Sequence, residues 1–305
     1  MDILIWNCSI SMSLEAFHLV NVPLSVVSIL MDIFFVFCMV FPQQGQPQMK
    51  QPLNVLVGSL VGCNTALHFC VLLFVISGFT YSLSAYFDSV GLYYFTAECL
   101  LFTMRTSVTS YLWLNVFYYC QIVPAKHSLL ILLRKNIRLF VYSALIFDKF
   151  IFLYGVATSV VRYLIITPYT TTYEEKNAVK HAVGVDFWSR LVYFLFSLCV
   201  MLTSSCATVL YLWRHMKNME DSSRSSPHLQ SQMRVTITGI VQILLYFLCS
   251  VWLIIDDIAY HLASADFDSK AHIICTVITL YSFGTNINLG VGQSIFRERI
   301  LLFWQ

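Results

Sequence analysis

Residues 17–41 read FHLVNVPLSVVSILMDIFFVFCMVF, and this stretch decides the fold. It holds one acidic residue, Asp32, and neither Lys nor Arg. A helix needs about 20 largely apolar residues to cross about 30 Å of hydrocarbon, so this run is long enough to span a bilayer. A strand of a membrane barrel would show roughly ten residues of two-residue alternation instead. Working outward, similar runs occupy approximately 53–77, 89–120, 137–163, 186–213, 235–260 and 271–295. The expectation is an all-α membrane protein, a seven-transmembrane helix bundle forming one domain over 1–305. The third run is long enough to extend beyond the bilayer.

The whole chain agrees with that reading. Of 305 residues, 58% are hydrophobic and 11% charged, and mean hydropathy is +0.72. An ordinary soluble domain carries about 25% charged residues, so a soluble enzyme is excluded first. Disorder needs low hydrophobicity and high net charge, whereas this chain is 15% aromatic with a formal charge of +2. There is no basic surface for nucleic acid. No HExxH, GxSxG, P-loop or Gly-rich phosphate cradle occurs, so no enzyme is expected. Nor is any cofactor or metal, because no Cys/His spacing suits zinc. Glycine and proline do not mark the paired broken helices of a transporter, which leaves a small polytopic transporter as a weaker alternative. Membrane lipids are expected partners.

Basic residues set the orientation. Lys50, Lys126, Arg134, Lys135, Arg138, Arg214, Lys217, Arg224, Arg234, Arg297 and Arg299 fall after spans one, three, five and seven, or just before spans four and six. The amino-terminal segment has no Lys or Arg. A plasma-membrane protein with an extracellular amino terminus and a cytoplasmic carboxyl terminus is therefore expected. Met1 to Phe17 lacks the basic first region of a cleavable signal, so the first span is read as an uncleaved anchor. Asn7-Cys8-Ser9 is the one glycosylation sequon, placed on the outer side. The loop from Leu164 to Val185 has no cysteine to pair with Cys99. The segments between spans are short, so any ligand must bind the bundle itself, which favours a small molecule.

An ionised side chain at mid-bilayer costs about 2.5 to 3.5 kcal/mol on insertion scales, so such residues usually face the interior. Asp32, Asn64, Asn286 and Asn288 come to similar depths, and we read them as a polar cluster joining spans one, two and seven. The plainer alternative is that each amide bonds one neighbouring helix. Arg105 lies in the outer half of span three, seven residues after Glu98 and so near the same helical face. With Thr106, Thr109, Ser110 and Trp113 continuing inward, it marks a cavity for an amphipathic organic molecule, to which Tyr246, Cys249 and Cys275 are added from spans six and seven. The alternative here is an Arg105–Glu98 pair serving only packing.

Specific strings then matter. LNVFYYCQIV at 114–123 resembles the inner end of helix three in the type 2 (bitter) taste receptors, with Gln121 where that family usually has Lys. LWRHMKNM at 212–219 is similar to the family's exit from helix five, and Leu244, Leu245 and Tyr246 match its LLY in helix six. TNINLGVGQSIF at 285–296 is a degraded form of its helix-seven motif. Asn64 also stands where Arg is common, so the chain looks like a divergent member. The resemblance implies a G-protein-coupled receptor that binds a small bitter or otherwise aversive agonist. It implies a heterotrimeric G protein of the gustducin or Gi type, met by Tyr118, Gln121, Lys126, Arg134, Lys135, Arg214, His215 and Lys217. Tyr246 is the candidate switch. Type 1 vomeronasal-like pheromone receptors are the runner-up.

Overall fold

A computed structural model describes residues 12–41, 51–83, 88–124, 128–166, 173–219, 227–262 and 271–303. Among these, every regular element is a helix: α1 Leu14–Val40, α2 Leu53–Leu83, α3 Asp88–Ile122, α4 Ser128–Lys135, α5 Ile137–Ile166, α6 Tyr173–Met219, α7 Pro227–Leu262, α8 His272–Gly292 and α9 Ser294–Phe303. Six of them, α1, α2, α5, α6, α7 and α8, are long and apolar enough to cross a membrane. The seventh long helix, α3, spans 35 residues. The short α4 follows α3, and α9 follows α8 directly.

α1 shows why these sequences assemble. Its buried residues are Phe17, Asn21, Ser25, Ser28, Asp32, Phe35 and Cys38, spaced three or four apart and so forming one face. Polar side chains dominate the middle of that face, while Leu19, Leu30 and Ile33 point outward. A helix facing hydrocarbon turns its polar groups inward because lipid offers them no partner. Ser13 caps the start, its hydroxyl oxygen accepting from the Ala16 backbone N–H at 3.2 Å.

Packing closes a ring. α1 meets α2 and α8, α2 meets α3, α3 meets α5, α5 meets α6, α6 meets α7, and α7 meets α8. α3 also reaches α6, α7 and α8 across the centre, which places it inside the ring. That position suits the many hydroxyl-bearing residues it buries, among them Thr103, Thr106, Ser107, Thr109 and Ser110. The outer faces carry Phe147, Phe150, Phe196 and Leu248, all largely exposed. The cysteines among the described residues are free thiols.

Helix ends depart from the expected spans where charge does not stop a helix. α6 begins at Tyr173, ahead of the expected span at Asp186, and runs for 47 residues, of which Gly184–Lys217 is apolar enough to cross a membrane. Its first turns include Glu174, Glu175, Lys176 and Lys180. An apolar scan stops at such residues, but a helix in water propagates through them.

The seam between α7 and α8 is tight. A Cβ added at Gly292 would meet Thr238 Oγ1 at 3.0 Å and its Cβ at 3.4 Å. Thr238 is β-branched and has little freedom to move aside. At Gly62 nothing lies within 4 Å of the added atom. Gly292→Ala is expected to destabilise the purified protein by about 1–3 kcal/mol through overpacking. Gly62→Ala should leave it unchanged or raise it slightly, since Ala favours helix. Thermal unfolding in detergent checks the pair, and equal midpoints for the two variants would contradict this seam.

Candidate functional site

One cavity opens toward the end of the bundle where α1 begins, with a volume of about 180 Å³. Its walls come from α3 (Leu101, Met104, Arg105, Val108), α6 (Arg190, Tyr193, Phe194), α7 (Tyr246, Ser250, Leu253) and α8 (Cys275, Ile278), with Phe74 from α2. The α3 contributors recur every three or four residues, so a single face of that helix is presented. Most of the wall is hydrocarbon, and two guanidinium groups interrupt it.

Two hydroxyl pairs tie the helices at the cavity's deep end. Thr109 of α3 and Tyr193 of α6 lie 2.5 Å apart, and Thr109 also donates to the Arg105 carbonyl at 3.1 Å. Ser197 of α6 and Tyr246 of α7 lie 2.6 Å apart, and the Tyr246 ring is tilted against Phe194 at 5.7 Å. Arg190 pairs with Asp186 one turn earlier at 3.1 Å.

The expected binding residues divide. Arg105, Tyr246 and Cys275 line the cavity. Thr106, Ser110 and Trp113 lie outside its wall, for a geometric reason. One residue is a rotation of about 100°, so positions 106, 110 and 113 form a separate strip beside that of 105 and 108. Ser110 donates to Ser59 of α2 at 3.1 Å. Trp113 is half-buried and stacks on Phe140 of α5 at 6.2 Å. Thr109 lies under the cavity, with its hydroxyl engaged by Tyr193. Cys249 is buried in α7 outside the wall. Sequence reasoning missed Tyr193 and Arg190. Nothing in the local pattern distinguishes Tyr193 from the other tyrosines, and Arg190, near the start of the fifth apolar run, reads as one basic residue near a span end.

The polar cluster separates into two networks. Ser107 of α3 donates to Asn64 Oδ1 at 3.1 Å, and Asn64 donates to Asn286 Oδ1 at 2.7 Å. Asp32 is fully buried facing Thr65 and Asn286, although neither is aligned for a full hydrogen bond to its carboxylate. Asn288 belongs elsewhere. It donates to Tyr111 OH at 2.9 Å, to the Thr238 carbonyl at 2.7 Å and to Gln242 Oε1 at 3.2 Å. Gln242 in turn donates to Tyr281 and Thr285 of α8, at 3.1 and 2.9 Å. Residues 286 and 288 are about 200° apart on one helix, so they cannot share a partner face. Gln242, a lone amide in the apolar run of span six, was the signal for this second network.

At the opposite end, Arg134 and Lys135 occupy the last turn of α4 and are exposed. Gln121, Arg214, His215 and Lys217 are exposed too, with the Lys217 ammonium 5.9 Å from the Trp213 ring centre. Tyr118 is partly buried, its hydroxyl 2.8 Å from Gln293 Nε2. Arg299 of α9 donates to the Phe41 carbonyl. Asn7 and Lys126 lie outside the described residues.

The family description "taste receptor protein (TAS2R)" matches residues 10–304, nearly the whole chain. The chain belongs to the taste receptor family. It is thus a G-protein-coupled receptor of the seven-helix kind and a multi-pass membrane protein, and this is a family of receptors rather than of enzymes. No individual curated protein matches it. For this taste receptor, the two polar networks predict separable energetics. A double-mutant cycle of Asn64→Ala with Asn286→Ala should give a coupling of about 0.6 kcal/mol, and at most about 1.7 kcal/mol. Asn64→Ala with Asn288→Ala should be additive. Unfolding of the purified receptor reports both, and the reverse result would join Asn288 to the first network.

Proposed function

We propose that this taste receptor detects small bitter or otherwise aversive organic compounds in the cavity bounded by α3, α6, α7 and α8, with that end of the bundle facing the cell exterior. The spans, in this reading, are the seven runs named at the outset, and the amino terminus is extracellular at the plasma membrane. The opposite end, carrying Gln121, Arg134, Lys135, Arg214, His215 and Lys217, meets a heterotrimeric G protein of the gustducin or Gi type. Tyr118 contributes from beneath that surface.

One observation carries the reading: the cavity floor is Tyr246, and its hydroxyl is bonded to Ser197 of another helix. A compound touching Tyr246 therefore touches the tie between α6 and α7. A ligand shifts a conformational balance only by its difference in affinity for the two states. Any compound that fits better when this tie is rearranged will favour the rearranged bundle. Thr109–Tyr193 extends the same dependence to α3.

Expression of the full chain with a chimeric G protein bearing a gustducin-like tail, screened against bitter compounds, tests the proposal by agonist-dependent nucleotide exchange. A response is expected, and its absence at normal surface expression across a broad panel would overturn the reading. Tyr246→Phe removes the tie that holds the unrearranged bundle, so it should lower the half-maximal agonist concentration about two- to tenfold, the range given by a hydrogen bond worth about 0.5–1.5 kcal/mol. Reversing charge with Lys135→Glu should lower maximal nucleotide exchange while leaving agonist affinity within about twofold, because rim charges act mainly on encounter with a partner.

A further inference from the structure

The cavity is mostly apolar, yet Arg105 stands in its wall. A buried or half-buried cation without a partner is unfavourable, and structures relieve it with a carboxylate or a ligand. The nearby acids are otherwise placed. Asp186 is engaged by Arg190 at 3.1 Å. The Glu98 carboxylate points at α5, where its Oε2 lies 3.0 Å from the position of a Cβ added at Gly155. Asp148 is buried on α5 beside the Thr106 and Thr109 hydroxyls. Asp256 lies at the rim, ten residues beyond Tyr246 along α7 and so about 15 Å higher. Arg105 feels the charges of Asp148, Asp186 and Glu98 through space, but none of them forms an ion pair with it as Asp186 does with Arg190.

Size narrows the occupant further. A cavity of about 180 Å³ is slightly larger than the roughly 150 Å³ apolar cavity that accepts benzene in another protein. One six-membered ring, or an aliphatic group of similar bulk, fills it against Met104, Val108, Phe194 and Ile278. The Arg105 guanidinium offers a planar fork of donors matched to a carboxylate or sulfonate. We infer that the ligand of this cavity is a small organic anion with a single-ring or equivalent apolar body, whose acid group is received by Arg105.

This inference rests on the reading of the cavity as the agonist site, and its test keeps the two apart. The purified full-length receptor in detergent is titrated with 3-phenylpropionate and with its neutral amide, 3-phenylpropanamide, at fixed pH and ionic strength. Binding is followed by the rise in unfolding midpoint, which any ligand selective for the folded state produces. The carboxylate is expected to bind about tenfold or more tightly than the amide, as charge-assisted hydrogen bonds exceed neutral ones. Arg105→Gln should abolish that preference while keeping the weaker amide binding, and Arg105→Lys should preserve part of it. If Arg105→Gln does not fold, the wild-type ratio and the Lys variant decide. Equal binding of the two probes, binding of neither, or an acid preference that survives Arg105→Gln would overturn the inference. Activation by neutral bitter compounds alone would also overturn it, leaving the receptor function intact. An Arg105-dependent acid preference without any G-protein response would instead sink the proposed function.

Discussion

Hydrocarbon gives a polar side chain no hydrogen bond, so each one inside the bilayer either finds a partner within the protein or carries an uncompensated penalty. In this receptor that constraint is plainest in the rotation of α1 and the placing of α3. α1 turns Asn21, Ser25, Ser28 and Asp32 inward and leaves its leucines and isoleucines outside. α3, the helix richest in buried hydroxyls, occupies the centre, where it has neighbours on all sides. The bundle is thus organised inversely to a soluble protein, with amides and hydroxyls determining which faces meet and apolar packing filling the space between them.

The polar ties lie at two levels. Below the cavity, Thr109–Tyr193 and Ser197–Tyr246 connect α3, α6 and α7. Level with them, at Ser107 of α3, the Asn64–Asn286 pair joins α2 to α8, and deeper the Asn288–Gln242 network joins α3, α7 and α8. Each bond is modest, about 0.6 kcal/mol in comparable membrane helices. Modest ties suit a receptor, because a bundle locked by strong interactions would not respond to the binding energy of a small compound.

The all-helical membrane bundle was legible because long apolar runs report the bilayer, although α3 is not among the six helices apolar enough to span by that measure and the short α4 and α9 carried no such signal. Burial of Asp32, Asn64 and Asn286 was legible on the same ground, since a polar group in an apolar run has few other places to go. Rotational phase was harder to read. Thr106, Ser110 and Trp113 lie on the same helix as Arg105, yet one residue of offset points them at α2 and α5 instead of the cavity. Asn288 was grouped with Asn286 by depth alone, although two residues of separation reverse the facing. Tyr193 remained hidden because its role depends on the partner helix, which no local pattern encodes. The extension of α6 back to Tyr173 has no hydropathy signal, because charged residues end an apolar run without ending a helix.

The 47-residue α6 is about 70 Å long at 1.5 Å per residue, more than twice the hydrocarbon thickness. Tyr193 and Ser197, which pin it to its neighbours, sit near its middle. A stiff rod held at its midpoint behaves as a balanced seesaw, so a tilt at one end returns at the other with similar amplitude and opposite sense. Arg190, beside the cavity, stands one or two turns from that pivot, while LWRHMKNM lies about 25–35 Å beyond it, so a small shift at the cavity becomes a larger swing of opposite sense at the far tip.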